Sequence, residues 1–215
     1  IKENNLAEFV DCFCEEGVFT VEEARKILKA GQELGLKAKL HADEIESIGG
    51  AELAGEIKAV SAEHLVAASD EGIKAMADNN VIAVLLPTTS FYLMLNKFAR
   101  ARKMIEEGVP VALSTDCNPG TSPTESLQST MTFACFGLRM MPEEIINAMT
   151  INAACAVGRE KEIGSIEIGK KADLAIFNAK NLNYLFYHFG VNAVDKVIKN
   201  GSIVVQDGKP VYKQK

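Results

Sequence analysis

Val109-Pro110-Val111-Ala112-Leu113, followed by Ser114-Thr115-Asp116-Cys117-Asn118-Pro119-Gly120-Thr121, reads as a buried strand that delivers a carboxylate into a polar loop. Proline lacks an amide donor and glycine takes backbone angles that other residues avoid, so Asn118 to Thr121 continues neither strand nor helix. Asp116 therefore stands where a buried strand ends. An acidic group there is costly unless a metal ion or a hydrogen-bond cluster compensates it; the plainer alternative is an aspartate that serves its own turn.

Working upstream, strand and helix signals alternate. Ala7 to Cys14 is a β-compatible run ended by a turn at Glu15-Glu16-Gly17, and Thr20 with Glu23 forms a capping box for a helix that Gly35 closes. Leu36 to Leu40 alternates apolar residues with lysine, and His41 arrives at the carboxyl end of that strand. Gly49 to Glu56 reads as a loop with a helical turn or two. Ala59 and Val60 lead a short strand into Ser61-Ala62-Glu63-His64, Asp70 opens a helix, and Val81 to Leu86 is an apolar strand stopped by Pro87. A helix through Leu93, Leu95, Phe98, Arg102 and Ile105 returns the chain to the strand that ends at Asp116. Ser122 with Pro123 and Glu125 predicts a further capped helix, and Pro142 to Val157 another.

About five βα units follow one another in this way, the signature of a parallel sheet, barrel or open, whose active site forms at the carboxyl ends of the strands. Past Gly158 the texture changes. Ile166–Ile168, Leu174–Phe177, Val194–Ile198 and Ile203–Val205 are short β-type runs, with Asn200-Gly201 a hairpin signal between the last two. The expected organisation is a βα domain over residues 1–160 and a small β-rich unit over 161–215.

The composition is that of a globular protein, 47% hydrophobic and 24% charged, with no apolar run near the roughly 20 residues of a membrane span. A net charge of −6 disfavours nucleic acid or an anionic membrane as main partner and leaves a small-molecule substrate open. Five cysteines without CxxC spacing read as reduced, mostly buried thiols of a cytoplasmic protein; for Cys12 and Cys14, core packing is preferred over a metal clip.

His41, His64 and Asp116 all fall at strand ends, which a βα architecture points into one axial pocket. Imidazole nitrogen and aspartate oxygen suit zinc or ferrous iron, and such an ion lowers the pKa of a bound water towards roughly 7. His64, if not a ligand, can hold an oxyanion or shuttle a proton, and Glu44 can hydrogen-bond a substrate N–H. His188, among Tyr184, Phe186, Tyr187 and Phe189, reads as structural or interfacial.

His41-Ala42-Asp43-Glu44, Ser61-Ala62-Glu63-His64-Leu65 and the Ser114–Thr121 run resemble the strand-five, strand-six and strand-eight motifs of the amidohydrolase superfamily. Thr150-Ile151-Asn152-Ala153-Ala154, Gly164-Ser165-Ile166-Glu167 and Gly169-Lys170-Lys171-Ala172-Asp173-Leu174 resemble its shared tail. The Asp-x-Asn-Pro-Gly-Thr run is similar to the branch that opens the cyclic amide of 4-imidazolone-5-propanoate to N-formimino-L-glutamate in histidine degradation. The resemblance implies a partial (β/α)8 TIM-type barrel, about its last five βα units, followed by part of a composite β domain. It implies one divalent metal ion, Zn or Fe, bound by His41 and Asp116, with His64, Glu44 and Asp116 in catalysis. Glu44, Asn118, Gly120 and Thr121 would bind substrate, the last three at its carboxylate end. The family's first strand supplies a His-x-His pair, whereas this chain holds only His41, His64 and His188. The expectation is thus a carboxyl-terminal half, inactive by itself, whose partner is the amino-terminal half, with a homodimer possible. An aromatic deaminase of the same superfamily and a non-catalytic βα domain are the competing readings.

Overall fold

A computed structural model describes residues 1–211. The Ala7–Cys14 run forms two short strands, β1 (Phe9–Val10) and β2 (Phe13–Cys14), because the Asp11 carboxylate turns back onto the amide of Cys12 (2.8 Å) and interrupts the ladder. Helix α1 (Val21–Glu33) opens with the Thr20–Glu23 capping box: the Glu23 amide donates to Thr20 Oγ1 (3.3 Å) and the Thr20 amide to Glu23 Oε2 (2.9 Å). Then follow β3 (Lys37–Ala42), α2 (Gly50–Glu56), β4 (Ser61–His64), α3 (Asp70–Asp78), β5 (Ile82–Leu85), α4 (Pro87–Tyr92), α5 (Ala101–Glu106), β6 (Val111–Leu113), α6 (Leu127–Phe136), α7 (Pro142–Met149) and α8 (Ile151–Ala156).

The first six strands make one parallel sheet in the order β1-β3-β4-β5-β6, with β2 also paired to β3. From β3 onwards each strand lies beside its successor. A doubly wound sheet reverses direction at a switch point; this one does not, so its order is that of a barrel wall. Period-two alternation divides the faces. Ala38, Leu40, Ala42, Ala83, Leu85, Val111 and Leu113 join Leu28, Leu53, Ile73, Met76, Met104 and Ile145 of the helices in the main core. Each of the large side chains there contributes about 1.5–3 kcal/mol by leaving water. Lys39, His41, Glu63, Val84 and Ala112 line a cavity on the other face, which Ala153 and Ala156 of α8 partly close. Asn152 Nδ2 fastens α8 to the carbonyl of Val111 (2.8 Å). Two glycines let α2 and α3 touch: a Cβ on Gly55 would lie 2.7 Å from the carbonyl oxygen of Ala75, and one on Gly72 2.6 Å from Ala51 Cβ.

A second, antiparallel sheet of order β10-β9-β8-β7 follows, built from β7 (Leu174–Phe177), β8 (Val194–Lys199), β9 (Ser202–Gln206) and β10 (Lys209–Pro210), with α9 (Leu182–Tyr187) between β7 and β8. Asn200 (φ +53°) and Gly201 (φ +78°) make the expected hairpin turn. The Gln128 side chain joins α6 to this unit, donating to Asn192 Oδ1 (2.8 Å) and accepting from the amide of Ala193 (2.9 Å). Among the described residues no helix is long and apolar enough to cross a membrane.

Four expectations are corrected. Helix α6 is capped by Ser126, not Ser122; the Ser122 hydroxyl donates to the carbonyl of Thr115 (2.6 Å), a long-range bond that sequence spacing does not reveal. The helix expected through Leu93 to Ile105 is split, because Met94 and Asn96 take positive φ (+53° and +55°) and only Ala101–Glu106 is helical after Tyr92. Thr150 (φ −120°, ψ −92°) divides the expected Pro142–Val157 helix into α7 and α8. Ile166–Ile168 is not a strand: among the described residues no neighbour pairs with it, and both isoleucines are exposed.

Candidate functional site

Alternation along β3 turns His41 towards the cavity, and parallel register sets it beside Glu63 of β4. The break between β1 and β2 brings Asp11 to it, with Asp11 Oδ2 2.9 Å from His41 Nδ1. That bond assigns the proton to Nδ1 and leaves Nε2 as the free lone pair. The Asp11 hydrogen bond holds the His41 pKa above its ordinary value against partial burial, helped by the charges of Asp11, Glu63 and Asp116. Burial works to raise Asp11 in turn, but the His41 hydrogen bond, the His41 charge and the Cys12 amide outweigh it and hold that carboxyl low.

Strict alternation would send His64 to the face opposite Glu63, yet its ring centroid lies 5.4 Å from that of His41. The backbone resolves this, because His64 (φ +70°) and Leu65 (φ +59°) are both left-handed, a turn that re-aims the side chain as the strand ends. His64 Nδ1 lies 3.5 Å from Glu44 Oε1. Burial, with the like charge of His41 adding to it, pushes the His64 pKa down to about 4 despite the opposing pull of Asp116. The imidazole is thus neutral at pH 7 and able to accept a proton. Burial, then the Asp116 charge, raises Glu44. The two groups are displaced towards each other's range, an arrangement suited to proton transfer.

Asp116 (φ +52°) follows β6 and lines the same cavity, whose volume is about 300 Å³. Thr89 Oγ1 of α4 donates to Asp116 Oδ2 (2.7 Å), and Oδ1 accepts nothing from the described residues. Thr88 Oγ1 (2.9 Å) and Ser122 Oγ (2.6 Å) both donate to the carbonyl of Thr115, fixing the peptide before Asp116. Asn118 is used within its own turn. Its Oδ1 accepts from the amides of Gly120 (2.9 Å) and Thr121 (2.8 Å), and its Nδ2 donates to the carbonyl of Asp116 and to Thr121 Oγ1 (both 2.8 Å). His41, His64, Glu44 and Asp116 are therefore brought together, while Asn118, Gly120 and Thr121 form the turn that follows Asp116 and do not line the cavity. His188 lies apart at α9's carboxyl end, its ring tilted by 48° against that of Tyr184 with centroids 5.3 Å apart.

Several site residues escape sequence reasoning. Asp11 interrupts a strand, Glu15 resembles an ordinary turn residue, and Thr88-Thr89 follow a proline that reads as a stop, although hydroxyls directly after a buried strand are a usable signal. Asp43 is more than a loop solvator: fully buried, it accepts the amides of Ile48, Gly49, Gly50 and Ala51 (2.8–3.3 Å) at the start of α2. Glu63 is neutralised by Lys39 Nζ at 3.0 Å and accepts from Ser61 Oγ (2.5 Å) and the Leu40 amide (3.2 Å); Lys39 also donates to the Ala156 carbonyl (3.2 Å).

For a divalent cation, two donors line one cavity and accept no hydrogen bond among the described residues: His41 Nε2 and Asp116 Oδ1. Among the described residues, ligating atoms of Asp11, His41 and Glu63 also lie within 4.8 Å of one another, but Asp11 is committed to His41 and Glu63 to Lys39. Two donors are half of the tetrahedral set that zinc ordinarily takes.

The chain is 61% identical over 211 residues to an imidazolonepropionase of Alkaliphilus oremlandii, covering 98% of this chain and 50% of that protein. It is 58% identical over 213 residues to an imidazolonepropionase of Treponema denticola, covering 99% and 52%. It spans about half the length of the relatives it matches. In fold it is similar to a Xanthomonas campestris adenosine deaminase solved with bound zinc (TM-score 0.75, 19% identity, 92% of this chain and 52% of that one). A Xaa-Pro dipeptidase is comparable (TM-score 0.73, 22% identity, 94% and 55%). The sequence pattern of the amidohydrolase family matches residues 14–204, nearly the whole of the two-sheet architecture described above, and the chain belongs to that family.

Proposed function

We propose that the protein to which this chain contributes hydrolyses the cyclic amide of 4-imidazolone-5-propanoate, giving N-formimino-L-glutamate. What carries the reading is that His41 and Asp116 line one cavity, with His64 packed against the His41 ring and Glu44 beside His64, in a chain 61% identical to an imidazolonepropionase. A divalent ion, zinc or iron, held by His41 Nε2 and Asp116 Oδ1, would supply Lewis-acid activation of water and of the carbonyl under attack. Asp11 fixes the His41 tautomer, and Thr89 fixes the Asp116 carboxylate. The reaction adds water across the ring amide: a C–O bond forms at the carbonyl carbon, the C–N bond breaks, and the ring nitrogen leaves with a proton. Neutral His64 accepts a proton or donates a hydrogen bond to the tetrahedral oxyanion, and Glu44 receives the ring N–H. Asn118, Gly120 and Thr121, in the turn that follows Asp116, would bind the carboxylate end of the substrate.

We further propose that the remaining ligands and the closing strands of the barrel come from the amino-terminal half of the enzyme. The sheet described here ends at β1/β2 on one side and at β6 on the other, and unpaired strand edges call for partners. With three histidines and no His-x-His pair, the chain alone would bind metal weakly and would not turn over. We place the division between the βα unit and the small β unit near residue 160; residues 212–215 of the latter lie outside the described residues.

The test is metal content and imidazolone hydrolysis of the full-length protein beside its His41→Ala and Asp116→Ala variants. Formiminoglutamate release by the parent and its loss in both variants is expected. Turnover intact in both variants would sink the mechanism, and ammonia released from a purine or pyrimidine would favour a deaminase.

A further inference from the structure

Glu15 follows β2 and is 2% exposed. A buried carboxylate is costly unless its oxygens are satisfied. Three backbone amides meet this one: Glu16 (2.9 Å) and Glu46 (3.1 Å) donate to Oε1, and Ile45 (2.9 Å) donates to Oε2. Two of these belong to the loop that leaves β3, the neighbour with which β2 pairs at Cys14 and Ala42. Asp43, in the same loop, reaches forward to the amides of residues 48–51. Glu44 therefore sits between two clamps. Its own residue makes no backbone bond to Glu15, but the peptides on its carboxyl side cannot rotate without breaking two charge-assisted hydrogen bonds, each in the stronger class for proteins.

We propose that Glu15 is a positioning residue for Glu44: by gripping the amides of Ile45 and Glu46 it sets the direction from which the Glu44 carboxylate approaches His64. This rests on the reading of Glu44 as a substrate-contacting group. Glu15 itself does not reach the cavity and exchanges no proton with substrate. Its role is the fixed geometry that holds Glu44 Oε1 3.5 Å from His64 Nδ1.

The experiment uses the full-length protein with the variants Glu15→Ala, Glu15→Gln, Glu44→Gln and the double variant Glu15→Ala/Glu44→Gln. Misplacing a reacting group by about 1 Å costs on the order of 100-fold in rate, so Glu15→Ala is expected to lose about that much kcat with metal content and KM little changed. Glu15→Gln keeps the shape and one acceptor oxygen, and should recover about tenfold of the loss. Because Glu15 acts through Glu44, the double variant should be no slower than Glu44→Gln alone. Amide hydrogen exchange gives a readout independent of turnover: protection at Ile45 and Glu46 should fall in Glu15→Ala, and to a lesser degree in Glu15→Gln, while the α2 amides held by Asp43 keep theirs. Wild-type protection at those two amides, or a double variant slowed by the product of the single effects, would overturn the proposal. Absence of imidazolone hydrolysis in the wild-type protein would instead refute the functional reading, with the exchange data still deciding whether Glu15 holds the loop.

Discussion

Thr89→Val removes one hydroxyl and leaves the shape of the side chain unchanged, so its effect isolates a single bond. Thr89 is 1% exposed, and its hydroxyl donates to Asp116 Oδ2 at 2.7 Å. Hydrogen bonds to charged groups contribute about 1.5–3 kcal/mol. Asp116 is half-buried, so water can replace part of the lost bond, which places the cost near the lower limit, about 1.5 kcal/mol, or tenfold in an equilibrium constant. If Asp116 Oδ1 binds the cation, the freed carboxylate must be ordered on binding, and zinc affinity of the full-length protein should fall about tenfold, at the low end of what outer-shell partners contribute. Competition with a chromophoric chelator measures this. Thr88→Val is the matched control: its acceptor, the carbonyl of Thr115, keeps the Ser122 hydroxyl at 2.6 Å, so the loss should stay below about 1 kcal/mol. Zinc affinity unchanged in Thr89→Val, or equal losses in the two variants, would refute the assignment of Asp116 as a ligand held from behind by Thr89.

Gly55→Ala should destabilise the protein by about 1–3 kcal/mol in chemical denaturation, because the added Cβ meets the Ala75 carbonyl oxygen at 2.7 Å, backbone that has little room to retreat. Lys39→Met should cost on the order of 3 kcal/mol by leaving the buried Glu63 carboxylate unpaired, and Lys39→Met/Glu63→Gln should recover much of it; a double variant no better than the single would show that the ion pair is not the reason. His64 has a folded-state pKa of about 4, below its unfolded value near 6.5, so the native state binds fewer protons and stability drains away as pH falls from 6.5 through 4, by up to about 3 kcal/mol. His41, raised on folding, acts in the opposite sense, adding stability below its unfolded pKa that is lost as pH rises through its folded value. His64→Gln should therefore flatten the acid limb of a stability-versus-pH curve, and an unaltered limb would count against a buried neutral imidazole.

What could be read in advance follows the range of the interactions involved. The capping box at Thr20 and Glu23, the alternation of Leu36 to Leu40 that appears as strand Lys37–Ala42, and the Asn200-Gly201 turn are written within a few residues, and each is found as expected. The parallel sheet was legible from the repeated strand and helix signals, as was the placing of His41, His64 and Asp116 at strand ends. Ser122 misled because its hydroxyl serves Thr115 across the loop and not a helix. Ile166 and Ile168 carry the composition of a strand without a neighbour to pair with. Asp11, Glu15 and the two threonines of α4 owe their roles to strands lying side by side, a relation that spacing along the chain does not encode.

Asp43, His64, Leu65 and Asp116 all hold left-handed backbone without being glycine. Each such residue stores roughly 1 kcal/mol or more of conformational strain. At Leu65, buried in the core, glycine would lose more through the cavity it leaves, about 2–5 kcal/mol, than the strain it relieves; asparagine at His64 or Asp116 would relax the strain but erase the side chain for whose sake the turn exists. A descendant freed from its chemistry would drift towards a firmer and emptier barrel mouth, and thermal hardening at these positions would serve as a fossil trace of lost activity.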